Sequence, residues 1–472
     1  MPLNIPAALV AALTLALATG CATTSASSRT GDAPRAAAGS GSPGDAYPST
    51  YQRIAGAPVL ITGATVLDGT GRRLEGADVL MRDGVVAAVG TGLDVPPDSV
   101  RVDGHGKWVT PGIIDIHSHL GVYPSPGTSS HSDGNEMTSP ITAAVWAEHS
   151  VWPQDPGFHA ALAGGVTALQ ILPGSANLVG GRGVTLKNVP ATTYQGMKFP
   201  GAPHGLKMAC GENPKRVYGQ KGGPATRMGN VAGYRAAFID AAEYRDKRAG
   251  SNGGKRDLQN ETLAGVLDGD ILVHIHCYRA DEMATMLDLA DEFGFRVAAF
   301  HHGVEAYKIA DRLGREGVCG ALWADWWGFK MEAFDGIQEN IAIVDRAPGG
   351  CAIVHSDSDE GIQRLNQEAA KVMANARRAG IDIAPEHAIT WLTANPAKAM
   401  GIAERTGTLE AGKMADVVLW NGNPFSSYAL AERVWIDGAT LYDRQDPARQ
   451  PRSDFMLGHD APGRAAAAGG AR

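Results

Sequence analysis

Between Gly112 and about Ile402, short apolar runs alternate with stretches of helical periodicity, and no other feature of the chain constrains the fold as strongly. Eight runs read as strands: IIDIH, VTALQIL, GVTLKN, GLKMAC, ILVHIH, RVAAFHH, CGALWA and CAIVHSD. After the fifth, Met283, Leu287, Ala290 and Phe293 fall at helical spacing. After the eighth, Ile362, Leu365, Ala369, Val372, Met373 and Ala376 do the same. Strands separated by helices imply a parallel sheet, and eight such units over about 290 residues suit an α/β fold of the (β/α)8 barrel type. With 472 residues, 44% of them hydrophobic, the chain can bury such a core. The flanks read differently. VLITGATVLDG and ADVLMRDGVVAAVG on one side, GTLEAGKMADVVLWNG and ERVWIDGATLYD on the other, are β-branched runs broken by Gly and Asp. The expectation is a barrel over 111–402, with 56–110 and 403–445 together forming one small β-sandwich domain.

The N-terminus reads as an address. Ala7 to Ala18 is apolar but too short to span a bilayer, and suits the h-region of a secretory signal. It leads into Leu17-Ala18-Thr19-Gly20-Cys21, which resembles the lipobox of a bacterial lipoprotein. Residues 1–21 are therefore expected to direct export, with lipidation at Cys21 and a periplasm-facing protein whose only membrane attachment is the lipid. Ala22 after the cysteine resembles outer-membrane sorting in such proteins. Residues 22–55 read as a flexible linker and 446–472 as a disordered tail. Gly39 to Gly44 matches GxGxxG, but without a strand before it or a helix after it this is no nucleotide site. A net charge of −8 argues against nucleic acid as a partner. Five cysteines without a CxxC read as too few for a disulfide framework.

In a barrel of this kind the chemistry sits at the C-terminal ends of the strands. The first strand ends Asp115-Ile-His117-Ser-His119, where residues i and i+2 share a face, so two imidazoles face one point. Asp115, one layer deeper, could orient an imidazole. The fifth strand ends His274-Ile-His276. The sixth ends His301-His302, where alternation lets only one ring point inward. The eighth continues into His355-Ser-Asp357-Ser-Asp359. Polar groups at these positions are costly to bury unless they bind or catalyse. Each cluster alone equally suits hydrogen-bonded structural histidines; four together point to divalent metal binding. Two lysines, Lys187 and Lys207, end or occupy strands three and four. A buried lysine readily loses its proton, and its neutral amine can capture carbon dioxide as a carbamate able to bridge two metals.

Together PGIIDIHSH, HIHCYRADE, HHGVEAYKIADRL, HSDSDEGIQRLNQEAAK, TANPAKAMGI and GTLEAGKMADVVLWNGNPF resemble the metal-dependent amidohydrolase superfamily. More narrowly they resemble its imidazolonepropionase-related, prolidase-like branch. The resemblance covers about Pro58 to Asp443. It implies a set of roles. His117 and His119 would bind the more buried metal, a carbamylated Lys207 would bridge, and His274 and His302 would hold the second metal. Asp357 would complete the first metal and act as acid and base. Zinc is the default, with manganese, iron or cobalt admissible. Imidazolonepropionases lack the bridging lysine and use one metal, so the count of two stays open.

The leading expectation is hydrolysis of an amide or peptide bond in a small molecule such as a dipeptide or N-acyl amino acid. Metal-activated hydroxide would attack, with Asp357 moving the proton. The alternatives are a one-metal cyclic amide hydrolase or deaminase, and a non-catalytic metal- or ligand-binding envelope lipoprotein. Trp323 and Trp326 could wall the substrate pocket or simply pack their loop. His276 and Arg279 are candidate substrate contacts, Arg279 for a carboxylate. Gly211 to Tyr218 is either a loop over the site or a solvated turn. Barrels of this kind often pair, so a homo-oligomer is admissible, though nothing in the sequence marks an interface.

Overall fold

The computed structural model describes residues 45–250 and 255–450. The segment around Cys21 and the tail beyond residue 450 lie outside the described residues. Five strands come first: β1 (Val59–Leu67), β2 (Arg73–Arg82), β3 (Val85–Gly90), β4 (Val100–Asp103) and β5 (Trp108–Pro111). Eight follow at the positions read from the sequence: β6 (Ile113–Ser118), β7 (Val166–Ile171), β8 (Val179–Lys187), β9 (Gly205–Ala209), β10 (Leu272–Cys277), β11 (Val297–His302), β12 (Cys319–Leu322) and β13 (Ala352–Val354). The chain returns to strands at β14 (Val417–Trp420), β15 (Ala431–Ile436) and β16 (Ala439–Asp443).

Both ends of the chain build one sheet, ordered β16-β15-β14-β5-β1-β2-β3 with β4 on β1. Its buried side chains, among them Val59, Ile61, Val79, Val109, Val417 and Trp435, form their own cluster. The middle forms a nearly closed barrel ordered β13 to β6. The architecture is a (β/α)8-type barrel with a second sheet. Helices such as Ala280–Phe293 turn Met283, Met286, Leu287 and Ala290 onto the barrel, as their spacing requires.

Four expectations need correction. The sheet is not all parallel, because β8 runs antiparallel to both β7 and β9. Only residues 172–178 join β7 to β8, a link sufficient for an antiparallel pair but too short for a parallel crossover. Lys187 therefore lies at the end of the barrel opposite the histidines. The four cysteines among the described residues pair, as Cys210–Cys277 and Cys319–Cys351. Each bridge joins segments of adjacent strands, a proximity that sequence separations of 67 and 32 do not reveal. Residues 45–55 are not a free linker: Thr50 N–H donates to the Gln195 carbonyl, and Asp45 lies 2.9 Å from Lys198 Nζ. The expected tail also begins ordered, with a helical turn at Pro447–Arg449. Among the described residues no helix is long and apolar enough to cross a membrane.

Candidate metal centre

The strand ends bring one cluster together. His117 Nε2 and His119 Nε2 are 3.3 Å apart, in keeping with their i, i+2 spacing across the end of β6. Asp357 Oδ1 lies 3.3 Å from the first and 3.2 Å from the second. Lys207 Nζ lies 3.2 Å from His117 Nε2. His302 Nδ1 is 3.8 Å from Asp357 Oδ2. The His119 Nδ1 side faces the Leu172 carbonyl at 2.9 Å, which fixes that proton and leaves Nε2 as the free nitrogen. Asp357 sits at φ 51 just beyond β13, a left-handed conformation that Asp tolerates.

The alternation rule fails at His301-His302. His302 has φ 72, so both rings enter the barrel, with centroids 4.7 and 4.8 Å from that of His117. The resemblance assigns the fifth-strand ligand to His274. In the structure His274 lies deeper, with Nδ1 3.0 Å from His301 Nε2. His276 is the β10 histidine beside His302, with ring centroids 4.6 Å apart. Asp115 does not orient an imidazole either. Its carboxylate accepts from the backbone N–H of His117 and of Ser356, and from Ser356 Oγ. It thus ties β6 to the turn that carries Asp357.

The electrostatics favour metal ligation. Burial, reinforced by the neighbouring Lys207 and histidines, holds His117, His276 and His302 well below the usual imidazole range. Burial likewise pulls His355 down to about 4. Neutral imidazoles are the form that binds metal. Burial pulls Lys207 down to about 8, partly opposed by Asp357, and pushes the Asp115 carboxyl up to about 7. Buried Nδ1 atoms of His276, His302 and His355 lack hydrogen-bond partners. Two triads, His117–His302–Asp357 and His117–His301–His355, keep their donor atoms within 4.8 Å of one another. Orphaned buried nitrogens beside a carboxylate are an expensive arrangement unless a cation satisfies them, so the donor set fits a divalent metal.

Trp323 stacks on His302 at 4.2 Å, with Trp326 5.1 Å beyond it and 42% exposed. Arg279 is not at the centre: it is a partly exposed residue paired with Asp281 at 2.8 Å. The Gly211 to Tyr218 segment is a short helix, Glu212–Tyr218, whose Asn213 Nδ2 reaches within 3.3 Å of His276 Nε2. Sequence reasoning did not single out Asn213, although it flagged the segment. It missed Lys330, whose ammonium lies 3.1 Å from Asn213 Oδ1 and 4.1 Å from the Tyr278 ring centroid. It also missed Gln170, whose only signal was being an amide inside an apolar strand.

Comparison with known proteins bears on the same site. A family model described as "Amidohydrolase family" matches residues 352–446, which include Asp357. A crystal structure of an amidohydrolase from Thermotoga maritima is 37% identical, with a TM-score of 0.76, over 82% of this chain and 100% of that one. The chain belongs to the amidohydrolase family. Members of this family are hydrolases acting on carbon–nitrogen bonds, and they generally bind divalent metal. Amidohydrolase tasK of Hapsidospora irregularis is 31% identical over 427 residues, 82% of this chain. This amidohydrolase spans only 42% of that relative's length. Imidazolonepropionase of Mesorhizobium japonicum is 24% identical, over 76% of this chain and 90% of that one.

Proposed function

We propose that this amidohydrolase cleaves an amide or peptide bond in a small molecule of the dipeptide or N-acyl amino acid type, with Asp357 as acid and base. The observation that carries the reading is the Asp357 carboxylate. It is 22% exposed at the mouth and within 3.3 Å of two imidazole nitrogens. His117, His119 and Asp357 would hold one divalent metal, with Lys207 as a carbamate bridging to a second held by His302 and His276. Such metals, when bound, polarise the scissile carbonyl and make hydroxide available near neutral pH. Asp357 accepts the proton of the attacking water and returns it to the leaving nitrogen. Lys207 becomes a carbamate when its neutral amine adds to carbon dioxide, forming one N–C bond and releasing one proton. Its lowered pKa makes the neutral amine available. Trp323 offers a flat apolar wall beside His302 for the substrate side chain or acyl group.

Elemental analysis of protein purified with bicarbonate and without chelators is expected to give close to two metals per chain. The likeness to imidazolonepropionase supports a second reading, a one-metal cyclic amide hydrolase or deaminase. One metal per chain, with full activity in Lys207→Ala, would establish it instead. No metal after zinc or manganese reconstitution would remove both. For the pocket wall, Trp323→Ala is expected to raise KM about 3–10-fold on dipeptides with bulky side chains, the loss of one ring stack. An unchanged KM would remove Trp323 from substrate binding.

Export as a lipoprotein anchored at Cys21 belongs to the same proposal. The two disulfides support it, since such bonds persist in oxidising compartments. Cys21→Ser is expected to move the protein from the membrane fraction to the soluble fraction of a bacterial host, read by fractionation and blotting. Unchanged membrane association would reject the anchor.

A further inference from the structure

The reaction as derived gives no role to the buried residues His301, His274 and Gln170. They stand in one line behind His117. His117 Nδ1 is 2.9 Å from His301 Nδ1, His301 Nε2 is 3.0 Å from His274 Nδ1, and His274 Nε2 is 3.4 Å from the Gln170 amide nitrogen. None of the four residues is more than 1% exposed.

A neutral imidazole has one N–H and one acceptor nitrogen. In a line of such rings all the bonds must point the same way, so one proton position sets the next. Two directions exist. In one, the Gln170 amide N–H donates to His274, His274 to His301, and His301 to His117. His117 then carries its proton on Nε2, facing Asp357, His119 and Lys207. In the other, His117 Nδ1–H donates to His301, His301 Nε2–H to His274, and His274 Nε2–H to the amide oxygen of Gln170 after a half-turn of that amide. Only this second direction leaves a lone pair on His117 Nε2. The Gln170 Oε1 atom has no hydrogen-bond partner. A half-turn of the amide would present this unpaired oxygen to His274 Nε2–H as an acceptor.

The geometry points to His301, His274 and Gln170 as a relay that couples the tautomer of His117 to their own and, in its second direction, makes His117 Nε2 available to a metal. This rests on the reading of His117 as a metal ligand. The three are positioning residues. His301 also fixes the ring plane of His117 and raises the basicity of its far nitrogen, as hydrogen-bonded partners of metal ligands do.

The test uses Zn²⁺ as the probe. Chelator competition and elemental analysis would compare the unmutated protein with His301→Phe and His301→Gln, and neutron diffraction would locate deuterium in the zinc-loaded unmutated protein. His301→Phe is expected to keep the same number of metals at about 10–100-fold weaker affinity. His301→Gln is expected to recover part of that, because its amide can accept and donate at once. Deuterium is expected on His117 Nδ1, His301 Nε2 and His274 Nε2. Unchanged affinity in His301→Phe, or deuterium on His301 Nδ1, would overturn the relay. Loss of a whole metal equivalent would also overturn it, making His301 a ligand with His117 and His355. The neutron result decides the matter without any variant, should His301→Phe not fold. No zinc uptake by the unmutated protein would reject the proposed function itself. The relay would then stand only if the metal-free crystal showed deuterium on His117 Nδ1, His301 Nε2 and His274 Nε2.

Discussion

Asp357→Asn is expected to lower kcat by about 10²–10⁴-fold while much of the metal stays bound, the span assigned to a positioned acid–base group. The substitution is nearly isosteric, and Asn tolerates the φ of 51 at this position as Asp does. The turn that Asp115 ties to β6 should therefore survive. The side-chain oxygen remains near His117 and His119, but an amide cannot take the proton of the attacking water or return it to the leaving nitrogen. Steady-state kinetics on a dipeptide or N-acyl amino acid, with metal content measured on the same sample, separates the outcomes. Full activity would sink the assigned role. Equal loss of activity and metal would show that Asp357 serves as a ligand first.

Lys187→Met should cost about 3–5 kcal/mol of folding stability and leave the metal content unchanged. Lys187 is fully buried, 2.9 Å from Asp437 and 3.4 Å from Asp416. Removing one partner of a buried ion pair strands the others' charge, which is where that cost arises. The penalty should depend on pH. Burial already raises the Asp416 pKa above the ordinary 3.8, although Lys187 opposes the shift. Without Lys187 the rise is larger. An acid whose pKa is raised by folding gives stability that is fully present below its unfolded value and is lost as pH climbs through the folded value. The Lys187→Met deficit should therefore be small near pH 3.8 and grow as pH rises. Denaturant titrations at several pH values measure this. A flat difference across pH would mean the aspartates are not stranded. Lys207→Ala makes the contrasting variant, because the two-metal reading expects it to lose metal.

The eight barrel strands were legible because each is a short apolar run bounded by turn residues, and the pairing of the two flanks was legible from their hairpin punctuation. That His117, His119 and Asp357 meet was legible for a local reason: a strand period of two places His117 and His119 on one face, and Asp357 lies just beyond the last strand. The β8 direction was not legible, because apolar pattern carries no sign and only the short 172–178 link forces the reversal. That reversal removed Lys187 from the site and left Lys207 as the lysine beside His117. The disulfides were hidden for a similar reason, since which strands lie side by side is a property of the closed sheet.

The sequence by itself therefore determined the barrel, the family and the strand ends at which its chemistry gathers. These follow from periodicities and motifs spanning only a few residues. The tertiary structure decided which side chains meet. It brought both rings of His301-His302 inward through a positive φ, set His276 rather than His274 beside His302, and placed Arg279 in an exposed ion pair. Those outcomes depend on backbone torsions and on layer depth within a closed barrel, and both are fixed only when distant strands pack together.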